Sequence, residues 1–370
     1  MKRGKLLEPD VLRTLAFLGV VAQHILGAYA RREVLSPNEM KAISFVFELT
    51  RFSVPLFVFL FAAMLYYQHY NKLTYLPYLW KRTKQLLLPY AIWTAFYLYY
   101  AHGLPGLHPL SFGNALLKNN GAYHLWYVGM IFQFVLVSPV MIAIVSKLLK
   151  LGNTTLKKIL LCTGLFALCL AYIGLTPNIS SNNEIINNFF NIKRSKIFLS
   201  WLVFYFAGAF CGIYYNSFRY FVKKIWIPCG AIFAASLILI FNSQLISLKT
   251  SGTVNLFVVS FLNPGFCIVT LITICFLFGL SMLLSRSHFI MRICSFIGGV
   301  SYQAYLAHVM CINILNKYTI SVFSSRPVYY LWLFISVSVV SILVGYLERG
   351  IKKCFNINKQ RFNMKASENT

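Results

Sequence analysis

Long apolar runs alternate along this chain with short polar connections. Ten runs, at 11–30, 43–67, 86–101, 124–146, 159–176, 198–215, 225–241, 266–284, 295–316 and 328–347, approach the roughly 20 residues that an α-helix needs to cross a bilayer. The third is short and broken by Pro89, and the ninth is the most polar. This pattern predicts an all-α, polytopic membrane helical bundle of about ten transmembrane helices. No internal repeat and no soluble domain stands out. One transmembrane domain over 1–350 is therefore expected, followed by a basic tail over 351–370. The stretch PNISSNNEIINNFFNIKR, residues 177–194, is expected to be a polar loop.

Composition sharpens the picture. Hydrophobic residues make up 58% of the chain and charged residues 11%, against about 25% charged in a soluble domain. The net charge of +26 would suggest nucleic acid binding in a soluble protein. Here the cations sit in the connections. With the N-terminus inside, 22 of the 34 Lys and Arg fall on the inner side and 10 on the outer side, with Arg13 and Arg51 inside spans. That bias follows the positive-inside rule. It predicts both termini in the cytoplasm and no nucleic acid partner. The start, MKRGK with AYA at 28–30, resembles a signal peptide. The acid–base pair Asp10 and Arg13 at the entry of the run argues for a retained first span. The nine cysteines are scattered, with no CxxC pair and no Cys/His ligand spacing. They read as small buried hydrophobes, and no metal site is expected.

Ionisable groups inside a span are costly, which makes them candidates for chemistry. Arg13 and His24 are eleven residues apart, three helical turns plus about 20°, so both project from one face about 16 Å apart. Asp10 is placed to pair with Arg13. The plain alternative is a snorkelling arginine and a hydrogen-bonded core histidine. Glu48 and Arg51 are also three apart, and can either serve a substrate or only neutralise each other. HLWYV places His124 and Trp126 at the outer entry of the fourth run, where Trp is a routine interfacial residue. Ser301, Tyr305 and His308 share one helical face, with Tyr302 beside them. Interhelical hydrogen bonding would explain them equally well. Lys81, Arg82 and Lys84, in the connection YLWKRTKQLLLPY, form a basic cluster suited to anionic lipid or to a phosphate-rich donor such as coenzyme A.

Together these residues resemble the acyltransferase-3 family of integral membrane acyltransferases, especially the branch acting on bacterial surface polysaccharides, including the intercellular-adhesin type. The resemblance rests on Asp10-x-x-Arg13-x10-His24, on RFSVPLFVFLFAAML, on the basic connection ending in LLLPY, on HLWYV and on GGVSYQAYLAHV, and spans about residues 6–347. Two departures stand out: Gln85 follows Arg82 where the family commonly has a second arginine, and Ala62-Ala63 replaces Ser-Gly.

The resemblance implies an O-acyltransferase of the bacterial cytoplasmic membrane. It would take an acetyl or succinyl group from acyl-CoA, acetyl-CoA foremost, to a glycan hydroxyl. Arg13, Arg82, Lys81 and Lys84 would hold the donor. His24 would act as general base or as a covalent acyl carrier, with Arg13 and Asp10 beside it. Glu48, Arg51, His124, Trp126, Tyr302 and His308 would meet substrate. Partners would be the bilayer, the glycan acceptor and a polysaccharide synthase complex. A glycan exporter or flippase is the alternative, and a purely structural partner ranks last.

Overall fold

A computed structural model of the protein describes residues 6–32, 36–70, 73–176, 194–251, 260–319, 323 and 325–368. Most of the expected 177–194 loop lies outside the described residues. The α-helices run in order α1 (Glu8–Arg32), α2 (Pro37–Thr50), α3 (Ser53–His69), α4 (Tyr75–His102), α5 (Pro109–Lys118), α6 (Trp126–Leu151), α7 (Thr155–Leu175), α8 (Leu202–Ile213), α9 (Tyr215–Ser251), α10 (Pro264–Leu284), α11 (His288–Thr319) and α12 (Arg326–Glu368). No strand occurs among the described residues. The protein is an all-α, multi-pass membrane bundle. Each of the ten expected runs is helical over most of its length. Seven described helical segments are long and apolar enough to span a bilayer, and Phe198–Ile213 is a shorter apolar one.

Local chemistry explains where helices begin and break. Ser36 and Glu39 form a capping box at α2, with the Ser36 Oγ accepting from the Glu39 N–H at 3.3 Å and Glu39 Oε2 accepting from the Ser36 N–H at 2.8 Å. The expected single helix over 43–67 is interrupted at Arg51 and Phe52. Pro55 has no N–H to offer the Arg51 carbonyl, which loosens the chain at that point.

Two further boundaries differ from expectation. The basic connection YLWKRTKQLLLPY, residues 78–90, lies within helix α4 and is not a loop, since its Leu, Lys, Arg and Gln are good helix formers. Pro89 does not break that helix, although it leaves the Gln85 carbonyl without its helical N–H; the Tyr302 hydroxyl donates to the neighbouring Leu86 carbonyl at 2.7 Å. The connection at 216–224 is likewise helical, as the start of α9. At the other end, α12 continues past the last expected run to Glu368.

α1 is central, touching α2, α3, α10, α11 and α12. α3 and α8 are in close contact, for a local reason. In GAFCG, Gly208 and Gly212 lie one turn apart and face α3, where a Cβ at either would collide with the Phe59 or Ala63 carbonyl oxygen. Lipid tails supply no hydrophobic drive between helices, so close backbone approach of this kind holds them by van der Waals contact. Ala62 and Ala63, the departure from Ser-Gly, are part of this seam. The described cysteines are free thiols, most of them buried.

Candidate functional site

Three cavities follow one flank of α1. The first opens at the Glu8 end of the helix and measures about 450 Å³, lined by Arg13, by Gln68 and His69 of α3, and by Tyr78, Lys81, Arg82 and Gln85 of α4. Asp10 Oδ1 accepts from Arg13 Nη1 at 3.2 Å, and its other oxygen accepts from the Ser295 hydroxyl at 3.0 Å. Asp10 therefore ties Arg13 to α11 and limits its motion. The Arg82 guanidinium lies 5.5 Å from the Tyr78 ring and 3.5 Å from the Gln85 amide oxygen. Gln85, standing where the family has arginine, thus lines the same cavity. Lys84 does not line it and lies over Trp80 at 4.3 Å.

The second cavity, about 210 Å³, shares Arg13, Met64 and Arg82 with the first and adds Phe57, Tyr127, Ser301, Tyr302 and Tyr305. The third, about 280 Å³, shares Tyr127 and Tyr305 with the second. It contains Gln23, His24, Tyr123, His124, Trp126 and Trp201. Arg13, Val20, His24 and Gly27 fall on one helical face. They line successive cavities along it.

Around the third cavity the fold collects three histidines from distant parts of the chain. Ring centroids are 5.1 Å apart for His24 and His308, 5.0 Å for His124 and His308, and 6.2 Å for His24 and His124. His308 Nδ1 meets the Tyr305 carbonyl, which can only accept, so in neutral His308 the proton sits on Nδ1 and Nε2 is an acceptor. The Tyr305 hydroxyl donates to the His124 backbone carbonyl. His124 is fully buried, and its ring nitrogens make no full hydrogen bond, apart from a loose approach to the Leu306 carbonyl. The Gln23 amide nitrogen and His308 Nε2 are also buried without a partner among the described residues. Burying such groups unmatched is unfavourable, so this wall is suited to a polar ligand. No group of three His, Cys, Asp or Glu among the described residues is arranged to hold a metal ion.

Glu48 and Arg51 sit apart from this line of cavities. Arg51 is 0% exposed. It donates to both Glu48 oxygens, at 3.0 and 2.9 Å, and Gln244 donates to Glu48 Oε1 at 2.9 Å. Phe261 and Phe266 lie against its guanidinium, at 4.4 and 4.2 Å. The space beside the pair is about 20 Å³. In this structure the pair faces its own neighbours, and Arg51 meets the wall of the histidine chamber at Phe261, which lines it.

Of the residues singled out in the sequence, Arg13, Lys81 and Arg82 share the mouth. Tyr302 lines the middle cavity, and His24, His124 and Trp126 line the chamber, with His308 against it. Sequence reasoning passed over Tyr127, Tyr123 and Trp201. Interfacial aromatics are so common in membrane proteins that nothing in their pattern marks those that line a cavity.

The acyltransferase-3 family, described as "Acyltransferase domain", matches residues 6–347. The chain belongs to this family. The family membership expected from Arg13-x10-His24 and its companion motifs is thus borne out over the same span. Chains of Staphylococcus aureus strains MSSA476, MRSA252 and N315, each named "Probable poly-beta-1,6-N-acetyl-D-glucosamine export protein", are 24% identical to this acyltransferase-3 member over 221 residues. The match covers 59% of this chain and 60% of theirs. No solved structure matches.

Proposed function

We propose that this acyltransferase-3 member is an O-acyltransferase of the bacterial cytoplasmic membrane. In this reading it moves an acetyl or succinyl group from cytoplasmic acyl-CoA to a hydroxyl of a cell-surface polysaccharide or its lipid-linked precursor. The observation that carries the reading is the line of three cavities with shared walls, from a basic mouth at Arg13 and Arg82 to a histidine chamber at His24.

The donor's phosphates bind at the mouth through charge-assisted hydrogen bonds from Arg13 and Arg82, with Lys81 as a point charge. The acyl end extends along α1. The helical rise from Arg13 to His24, about 16 Å, suits an extended thioester arm. At the chamber the acceptor hydroxyl gives its proton to His24 while its oxygen attacks the thioester carbonyl. The carbon–sulfur bond breaks, the ester remains on the acceptor, and the coenzyme A thiolate takes the proton back from His24. The buried Gln23 amide N–H is available to the acyl oxygen as negative charge develops there.

The test is NMR or mass analysis of surface polysaccharide from cells with and without the intact protein, together with transfer from labelled acyl-CoA by purified protein in detergent. Loss of an O-linked ester and transfer in vitro support the reading. The name of the Staphylococcus relatives favours a second reading, glycan export. Glycan movement across proteoliposomes with no acyl transfer would select it.

A further inference from the structure

We propose that Tyr127, packed against Tyr305, sets the length of acyl group this protein accepts. The inference rests on the acyltransferase reading above and concerns a residue that stands within HLWYV but is given no role by it.

Tyr127 and Tyr305 are the two residues common to the walls of the middle cavity and the histidine chamber. Their rings meet edge to face with centroids 5.6 Å apart. The Tyr305 ring is fixed at its hydroxyl, which donates to the His124 carbonyl, and by the His124 and His308 rings, each 5.4 Å away between centroids. Tyr127 is held by Phe57 at 6.1 Å and Trp126 at 6.2 Å. The two tyrosines thus form a wall shared by the middle cavity and the chamber that holds His24.

A thioester anchored at Arg13 and Arg82 reaches His24 with its acyl group leading past this shared wall. The carbonyl then stops beside His24, and the rest of the acyl group projects into the chamber. That chamber is about 280 Å³, at the lower edge of the roughly 300–1,000 Å³ that holds drug-sized ligands. The acceptor hydroxyl must enter the same space. Only an acyl group of a few carbons leaves room for it, and Tyr127 is the part of the wall that can be trimmed without removing the Tyr305 contacts to His124 and His308. A single methylene in an apolar pocket discriminates by about 10- to 200-fold, so trimming this ring changes selectivity measurably.

The experiment compares kcat/KM for acetyl-, butyryl- and hexanoyl-CoA in the unaltered protein, Tyr127→Ala, Tyr127→Leu and Tyr127→Phe, each purified in detergent with size-exclusion profile as a folding control. The hexanoyl-to-acetyl ratio is expected to rise about tenfold or more in Tyr127→Ala and less in Tyr127→Leu. Tyr127→Phe, which keeps the ring, should keep the original preference. If Tyr127→Ala does not fold, Tyr127→Leu carries the comparison. An unchanged ratio in folded small variants of a protein that does transfer acyl groups overturns the inference. No transfer from any donor by the unaltered protein overturns the acyltransferase reading itself, and this inference with it.

Discussion

His24 and His308 stand ring to ring, 5.1 Å between centroids, although α1 and α11 lie near opposite ends of the chain. The contact follows from the central position of α1 and its packing on α11. In the proposed reaction His24 moves the proton, and His308, with Nδ1 engaged by Tyr305, fixes the environment of that ring. His24→Ala should lower kcat by about 10²- to 10⁴-fold, the usual contribution of a general base. His308→Ala should lower kcat while leaving KM for the donor near its original value. A general-base route also predicts no radiolabel on the denatured protein after incubation with labelled acyl-CoA. Label that is retained, and lost in His24→Ala, would establish an acyl-histidine carrier instead.

In the proposed reaction the mouth residues act on donor binding. A hydrogen bond to a charged group contributes roughly 1.5–3 kcal/mol, and about 1.4 kcal/mol is a factor of ten. Arg13→Ala and Arg82→Ala should each raise KM for acyl-CoA about tenfold or more. Arg82→Lys should recover part of the loss, since lysine keeps the charge without the planar fork. Lys84→Ala should change KM little, because Lys84 lies over Trp80 and outside the cavity. Donor titrations at saturating acceptor separate these cases.

The Glu48–Arg51 pair acts on stability. Removing one partner of a buried pair strands the other, at a cost of about 3–5 kcal/mol. Arg51→Met should therefore lower the thermal midpoint in detergent markedly. Glu48→Gln with Arg51→Met should restore much of it, because Gln244 remains to hydrogen-bond the new amide. If the double variant is stable yet inactive, the pair matters to the chamber through Phe261 and not to folding alone.

The α3–α8 seam depends on two absent side chains. Gly208→Leu or Gly212→Leu must push α8 away from the Phe59 and Ala63 carbonyls. Either should reduce the yield of folded protein and lower its thermal midpoint. Substitution at Gly113, where a Cβ meets no atom within 4 Å, should change neither.

Much of this protein is readable from its sequence. Apolar length alone predicts helices that cross a membrane, because a bilayer leaves no other way to satisfy the backbone over such runs. Spacing alone puts Arg13 and His24 on one face, because helical periodicity is local and fixed, and the short motifs carry the family. Element ends were less legible. Helix formers extend α4 back through the basic connection, and Pro55 divides the second run; both are decided by local hydrogen bonding that hydropathy does not register.

Tertiary packing alone decided the rest. Nothing in the chain order says that His124 and His308 meet His24, that Asp10 reaches Ser295, or that Glu48 and Arg51 form a pair outside the cavities and do not face them. Nor does it distinguish Tyr127, on the wall shared by two cavities, from tyrosines exposed on the outside of the bundle. Periodicity along one helix determines which face a side chain leaves from. Which neighbour waits on that side depends on how the helices are arranged around α1, and that arrangement is a property of the whole bundle.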